Sequence, residues 1–260
     1  MAHKTLVGGT SYEISGGKTL VNSTAYSISG GKTLVGGTAY KIGFGTPIGD
    51  LEVGSSVYMN VNGVSTEFLV VHQGLPDATL YDASCDGAWL LMKDIYEKRY
   101  WNSYQNEYAN NNGVHKYLRD TFINLFDGDI KNIIKQVKVP YTNGTGSGGT
   151  LATGASGLSV KVFLLSLAEV REGAHDYANT EGSVLDYFKG AADSKRAATF
   201  NGAVEDWSLR SPSRYSTSLA WIVGGTGTPS RVSLTNNYGL RPAMILPKDI
   251  KIDENFNVIA

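Results

Sequence analysis

The sequence predicts an α+β chain, a loop-rich body of short strands with two helices preceded by an arm of β-hairpin repeats. Three observations carry that expectation. A fourteen-residue unit recurs three times near the N-terminus, starting at Lys4, Lys18 and Lys32. Strand-like runs, the first pair joined by Asn62-Gly63, recur between Ser56 and Met244. An apolar stripe at helical spacing (Val114, Tyr117, Leu118, Phe122, Leu125) follows Asn112, a residue type that caps helix N-termini.

Each repeat reads Lys-Thr-Leu-Val, then a small-residue pair (Gly8-Gly9, Asn22-Ser23, Gly36-Gly37), then an alternating run such as Thr10 to Ile14; Gly16-Gly17 and Gly30-Gly31 close the first two. Alternation puts Thr10, Tyr12 and Ile14 on one strand face, and paired glycines supply the positive φ of tight turns, so each unit is expected to form two short strands. A lone hairpin is marginal in water, and repeats bury a continuous face by stacking. The arm, residues 1–45, is therefore expected to attach or assemble. Tyr12, Tyr26, Tyr40, Lys4, Lys18 and Lys32 are its docking positions, against sister subunits or a larger body. The competing reading is a Gly-rich linker, which has no need to keep Tyr and Ile in register.

Composition narrows the function. The arm carries a net charge of about +3 and the remainder about −4, without the clustered Lys and Arg of a nucleic-acid binder. The single cysteine, Cys85, excludes an intramolecular disulfide framework and a cysteine metal cluster, and suits synthesis in a reducing cytoplasm. Met1 to Lys4 lead into polar repeats and no run has the length of a membrane span, so neither a cleaved signal nor a membrane partner is expected. Abundant Gly, Ser, Thr, Asn and Tyr favour irregular β structure and are residue types that recognition surfaces use.

Gly43-Phe44-Gly45-Thr46-Pro47 breaks the repeat and opens a body over residues 46–260. A hairpin is expected from Val57 to Val71 about Asn62-Gly63, then a strand from Gly87 through Met92, ending near Glu97. Trp101 to Asn112 reads as a loop, followed by a helix to about Phe126 and a short helical or extended segment from Ile130 to Val139. Residues 142–159 read as a flexible surface loop, and Val160 to Ser166 as a buried strand. Val184 to Arg196 reads as a short helix. In the last third, Trp207 to Pro212, Ala220 to Val223 and Gly239 to Met244 read as strands, with Trp207 and Leu209 inward and Ser208 and Arg210 on a polar face. Trp221 is expected inside, and Arg241 in a buried ion pair or bonded to backbone.

Trp207-x-Leu-Arg-Ser-Pro212, Gly239-Leu-Arg-Pro-Ala243 and Phe163-Leu-Leu-Ser-x-x-Glu169 together resemble an uncharacterised domain of prophages in Gram-positive gut bacteria. Trp101-Asn102-Ser103 and Tyr117 to Phe122 also match it, and the resemblance spans roughly Ser55 to Pro247. It implies a C-type-lectin-like fold similar to formylglycine-generating enzymes and to the variable proteins of diversity-generating retroelements. In such a fold the long final segment displays the ligand face. Here that segment runs from Ser211 to Tyr238, and its expected ligand contacts are Ser213, Arg214, Tyr215, Ser216, Thr217, Thr226, Thr228, Ser230, Arg231, Ser233, Asn236, Asn237 and Tyr238, with Arg210 beside them. The chain departs from its relatives at two points. Formylglycine generation needs a thiol pair and only Cys85 is present, and the Glu-Pro-Asn, Gln-Pro-Asp and Trp-Asn-Asp signatures of calcium lectins do not occur.

His3, His72, His115 and His175 show no metal-binding spacing, and Gly144-Thr-Gly-Ser-Gly148 lacks the strand-to-helix frame of a nucleophile elbow. No metal, cofactor or catalytic residue is expected. The expectation is a non-enzymatic component of a phage or phage-tail-like particle. It would bind a host-surface protein or glycan, join other particle proteins through the repeats, and form a homo-oligomer, with a trimer favoured. The alternatives are a structural decoration or baseplate protein without an external ligand, and a cell-wall or glycan hydrolase using a carboxylate among Glu169, Asp176, Glu205 and Asp206.

Overall fold

The run Gly87–Met92 is apolar at every position because both faces of its strand are covered, the condition under which a strand loses its polar alternation. The computed structural model describes residues 45–260 except 104, 111, 146 and 147, and before them the backbone of six strands. Gly87–Met92 lies at the centre of a five-stranded sheet ordered Val162–Phe163, Ala243–Leu246, Gly87–Met92, Val64–Gly74, Ser56–Val61, with every pairing antiparallel. The expected hairpin closes through Asn62 and Gly63 at φ 52° and 76°, the two positive values that a two-residue turn of this kind requires.

Side chains alternate between two cores. Phe68, Val70, Leu90 and Met244 point into one, which is roofed by helix α1 (Gly113–Asp120), a 3-10 turn over Phe122–Leu125 and helix α2 (Gly128–Ile133) through Leu118, Phe122 and Ile130. Leu69, Val71, Trp89, Leu91 and Ile245 point into the other, shared with Trp207, Leu209, Trp221 and Val223. Those four belong to a second five-stranded sheet, ordered Lys98–Tyr100, Asn237–Gly239, Trp207–Pro212, Leu219–Val223, Pro229–Ser233. It is antiparallel except where Trp207 pairs in parallel with Gly239. Burying each such large apolar side chain contributes roughly 1.5–3 kcal/mol, so the paired cores dominate the stabilisation. Thr46–Pro47 pairs with Lys251–Ile252, which pairs with Val258–Ile259, joining the start and end of this body.

The arm forms three separate two-stranded sheets: His3–Val7 with Thr10–Ile14, Lys18–Val21 with Thr24–Ser27, and Gly31–Val35 with Thr38–Ile42. Its register repeats, with Thr5 opposite Tyr12, Thr19 opposite Tyr26 and Thr33 opposite Tyr40. The glycine turns expected at 8–9, 16–17 and 36–37, and the side chains of Tyr12, Tyr26, Tyr40, Lys4, Lys18 and Lys32, lie outside the described residues.

The α+β, C-type-lectin-like expectation is overturned. The described chain is mainly β, arranged in multiple small antiparallel sheets, and its three α-helices are only 8, 6 and 4 residues long. The helix expected to reach Phe126 stops at Asp120 and tightens into the 3-10 turn, and Asn112 makes no side-chain cap. No helix spans Val184 to Arg196. There the Tyr187 amide donates to the Val71 carbonyl at 3.0 Å instead of to its own helix, Gly190 takes φ 62°, and only Asp193–Arg196 closes a 3-10 turn. The segment 142–159 contains a hairpin of Tyr141–Asn143 and Thr150–Ala152 and the start of Leu158–Val160. The strand from Gly87 ends at Met92, and Lys98–Tyr100 joins the second sheet.

Candidate ligand-binding face

A buried ionic cluster fixes the base of the site. Helix α3 (Leu167–Val170) is a single turn closed by a reciprocal capping box between Ser166 and Glu169. Beneath it Arg210 is fully buried and uses all five of its N–H donors. Two reach the Glu169 carboxylate at 2.6 Å each, and the others reach the carbonyls of Pro140 (3.0 Å), Leu164 (2.9 Å) and Glu181 (3.1 Å). Tyr81 donates its hydroxyl to Glu169 at 2.9 Å. Glu181, equally buried, accepts from the Thr142 amide and the Ser211 hydroxyl, and burial raises its pKa against the pull of Arg210. Arg210 thereby ties together residues 169 and 181, the two ends of the loop 171–180.

The tip of that loop reaches the turn between Trp207–Pro212 and Leu219–Val223. The Tyr177 carbonyl accepts the Arg214 amide at 2.8 Å and the Trp221 indole N–H at 3.3 Å. The turn is held from within by Asn106, itself fully buried, whose side-chain amide donates to the carbonyls of Ser213, Ser216 and Leu219. Arg231 stands opposite Trp221 in the Pro229–Ser233 strand.

These contacts assemble an exposed aromatic and guanidinium cluster. The Arg231 guanidinium lies 3.8 Å from the centroid of the Tyr177 ring, within cation–π range. Tyr215 meets Tyr177 edge-on at 5.7 Å, and His175 meets the buried Trp221 edge-on at 4.4 Å. Tyr177 and Tyr215 remain 40% and 64% exposed, so two rings held by backbone bonds at their base face solvent. Burial, with Arg171 nearby, lowers the His175 pKa and favours neutral imidazole. Arg171, Arg214 and Arg231 supply exposed positive charge against Glu172 and Asp176.

The structure brings together only part of the expected ligand set. Arg214, Tyr215 and Arg231 join the cluster, with Ser216 and Thr217 on the same turn. Thr226 and Thr228 sit at the opposite end of the Leu219–Val223 hairpin, where Thr228 bonds to Asp193 at 2.7 Å. Ser230 and Ser233 flank Arg231 on its strand. Asn236 is exposed beyond that strand, while Asn237 and Tyr238 lie on the far side of the sheet, paired with Tyr100 and Arg99. Arg210 and Ser213 are fully buried. The polar strand face expected for Ser208 and Arg210 is absent, since all six residues of Trp207–Pro212 are buried and Arg210 has carboxylate partners inside. Arg241 bonds to the Met92 carbonyl at 2.8 Å and stacks 5.0 Å from the Trp207 ring, the backbone form of the two arrangements expected of it, and burial lowers its pKa to about 10.

His175 and Tyr177 were not expected here. Their sequence signal is an aromatic residue in an otherwise polar loop just after Phe163-Leu-Leu-Ser-x-x-Glu169, and nothing local announces that Arg231 covers it. The four carboxylates weighed for hydrolysis do not face one another across a cleft. Glu169 is sealed against Arg210, Glu205 pairs with Lys98 at 2.8 Å, Asp206 accepts the Gly225 amide at 2.8 Å, and Asp176 is exposed on the loop. Among the described residues no group of three His, Cys, Asp or Glu side chains converges to hold a metal, and no helix is long and apolar enough to cross a membrane.

No curated protein and no solved structure matches the chain. Residues 86–248 take in the loop 171–180, the buried Arg210 cluster apart from Tyr81, and the whole second sheet. Over that span, more than half of the 260 residues, the chain matches the domain of unknown function DUF6273, and it belongs to that family.

Proposed function

We propose that this protein is a non-enzymatic recognition component of a phage or phage-tail-like particle, and that the Tyr177–Tyr215–Arg231 face binds a glycan on the surface of the host. The observation that carries the reading is the pair of exposed tyrosine rings, one capped by Arg231, on a loop and turn whose backbones are fixed from below. Rigid aromatic rings give large contact area at low entropic cost and stack against the C–H faces of sugars, while the flanking guanidiniums pair with acidic substituents. Support for the particle setting comes from the resemblance to prophage domains and from the repeat arm, whose three hairpins in one register suit docking onto neighbouring particle proteins or a trimer axis. The sealed state of Glu169 and Glu181 favours binding over hydrolysis.

The test uses fluorescently labelled full-length protein and intact cells of the strain that carries the gene. Tyr177→Ala, Tyr215→Ala and Arg231→Ala should each weaken cell binding about tenfold or more, as substitutions at aromatic and arginine hot spots do, with unfolding midpoints near that of the parent. Saturable binding unchanged by all three substitutions, or no binding by the parent protein, refutes the assignment.

A further inference from the structure

A second site lies on a different part of the body and does not depend on the recognition face. Between α1, the Phe122–Leu125 turn, α2 and the Leu158–Val160 strand is a cavity of about 360 Å3, within the roughly 300–1,000 Å3 range of small-molecule sites. Its floor is apolar, with Leu118, Ile123, Val160 and Val162 each no more than 7% exposed. Lys131 and Lys161, both half-buried, line it together with Arg119, whose charge is already matched by Asp120 at 2.6 Å, and Gln136 and Ser159, hydrogen-bonded to each other at 3.0 Å, complete one wall.

The two ammonium groups are satisfied by neutral atoms. Lys161 Nζ donates to the Lys131 carbonyl at 2.9 Å, and Lys131 Nζ donates to the Asn124 side-chain oxygen. Among the described residues no carboxylate lies within ion-pairing distance of either, and none lines the cavity, although other lysines on the surface have such partners. Burial lowers the Lys161 pKa and Lys131 adds to that effect, so an incoming anion would relieve a repulsion already present. Two partly desolvated cations beside an apolar floor select both a charge and a shape. A neutral apolar molecule would leave the cations unmatched, and a fully hydrophilic anion would leave the floor wet.

We propose that this cavity binds a small organic carboxylate with an apolar tail, its carboxylate between Lys131 and Lys161 and its tail against Ile123, Val160 and Val162.

Isothermal titration of the full-length protein with octanoate, octan-1-ol and octylammonium tests this directly. Octanoate should saturate with Kd of about 1 mM or tighter, and the alcohol and the ammonium ion should bind at least about tenfold more weakly. Lys131→Met and Lys161→Met should each weaken octanoate about fivefold while leaving the circular dichroism spectrum unchanged. Absence of saturation by octanoate overturns the proposal, as does octylammonium binding of equal strength or octanoate binding unaffected by both lysine substitutions. If either variant folds poorly, the comparison of the three ligands on the parent protein decides alone.

Discussion

Replacing Arg210 with methionine should destabilise the protein more than any surface substitution, because it removes a cation whose five donors are all used where water does not reach. Methionine keeps most of the aliphatic volume, so lost packing is a small part of the effect. What remains is the Glu169 carboxylate, fully buried and left with the Tyr81 hydroxyl and Ser166 amide, together with the Pro140 and Leu164 carbonyls, which lose their donor, while the Glu181 carbonyl keeps the Ser166 hydroxyl at 2.7 Å. Removing one partner of a buried ion pair costs about 3–5 kcal/mol. For a body of this size each kcal/mol moves the midpoint by about 2–4 °C, giving a fall of about 6–20 °C in Tm. Urea unfolding followed by tryptophan fluorescence measures the loss, since Trp89, Trp207 and Trp221 all lie in the second core. Glu169→Gln, which keeps an acceptor for Tyr81 and Ser166, completes a double-mutant cycle, and the double variant should recover at least about 1.5 kcal/mol relative to the sum of the singles. A loss below about 1 kcal/mol for Arg210→Met, or additivity within about 0.5 kcal/mol, would refute the claim that these two groups hold each other.

Two further outcomes follow from buried groups elsewhere. His115 is 3% exposed, its Nδ1 has no hydrogen-bond partner among the described residues, and burial, reinforced by Arg119, lowers its pKa from 6.5 to about 4. The unfolded chain therefore takes up a proton below pH 6.5 that the folded chain refuses until about pH 4, so stability is level above that window and falls as pH drops through it, by up to about 3 kcal/mol. Unfolding free energies from pH 7.5 to 4 should show that slope for the parent and a shallower one for His115→Phe; equal slopes would assign the acid sensitivity to other groups. Gly227 has φ 87°, and a Cβ there would lie 1.7 Å from the Asp193 carbonyl oxygen, whereas Gly202 has φ 82° with open space around it. Gly202→Ala should cost about 1–2 kcal/mol from the left-handed backbone alone, and Gly227→Ala clearly more; equal losses in thermal melts would mean that the close approach to Asp193 is not maintained.

Local chemistry was legible where the chain decides its own conformation. Asn62-Gly63 specified its turn, the apolar run at Gly87 its buried strand, and the spacing of Val114 and Leu118 a helix. Periodicity failed where distant parts of the chain supply the environment. Ser208 and Arg210 alternate with Trp207 and Leu209 as on a half-solvated strand, but Glu169 and Glu181 approach from 41 and 29 residues away and convert the polar face into an ionic interior. The helical reading of Val184 to Arg196 failed for the same reason, since the Tyr187 amide is taken by a neighbouring strand. The candidate face was half legible. Tyr215 and Arg231 lie in the long final segment that was singled out, whereas Tyr177 gains its meaning only from a guanidinium brought against it by the fold.

The buried ionic cluster and the exposed face are parts of one construction. A buried ion pair is weak evidence for stability, because a well-packed apolar replacement often does as well. Its value here is positional. Arg210 can satisfy five donors only if residues 140, 164, 169 and 181 are all in place, and residues 169 and 181 bracket the loop that carries Tyr177. Four residues further along the chain, the Arg214 amide binds the Tyr177 carbonyl, so the segment that locks the base of the loop also locks its tip. An apolar core would hold the same residues near one another but would accept a shifted loop at little cost, since apolar contacts are not directional. Directional bonds at both ends leave the loop backbone little freedom to lose, and under the proposed recognition role that reduced entropic cost would be the advantage of this face over a mobile loop of the same composition.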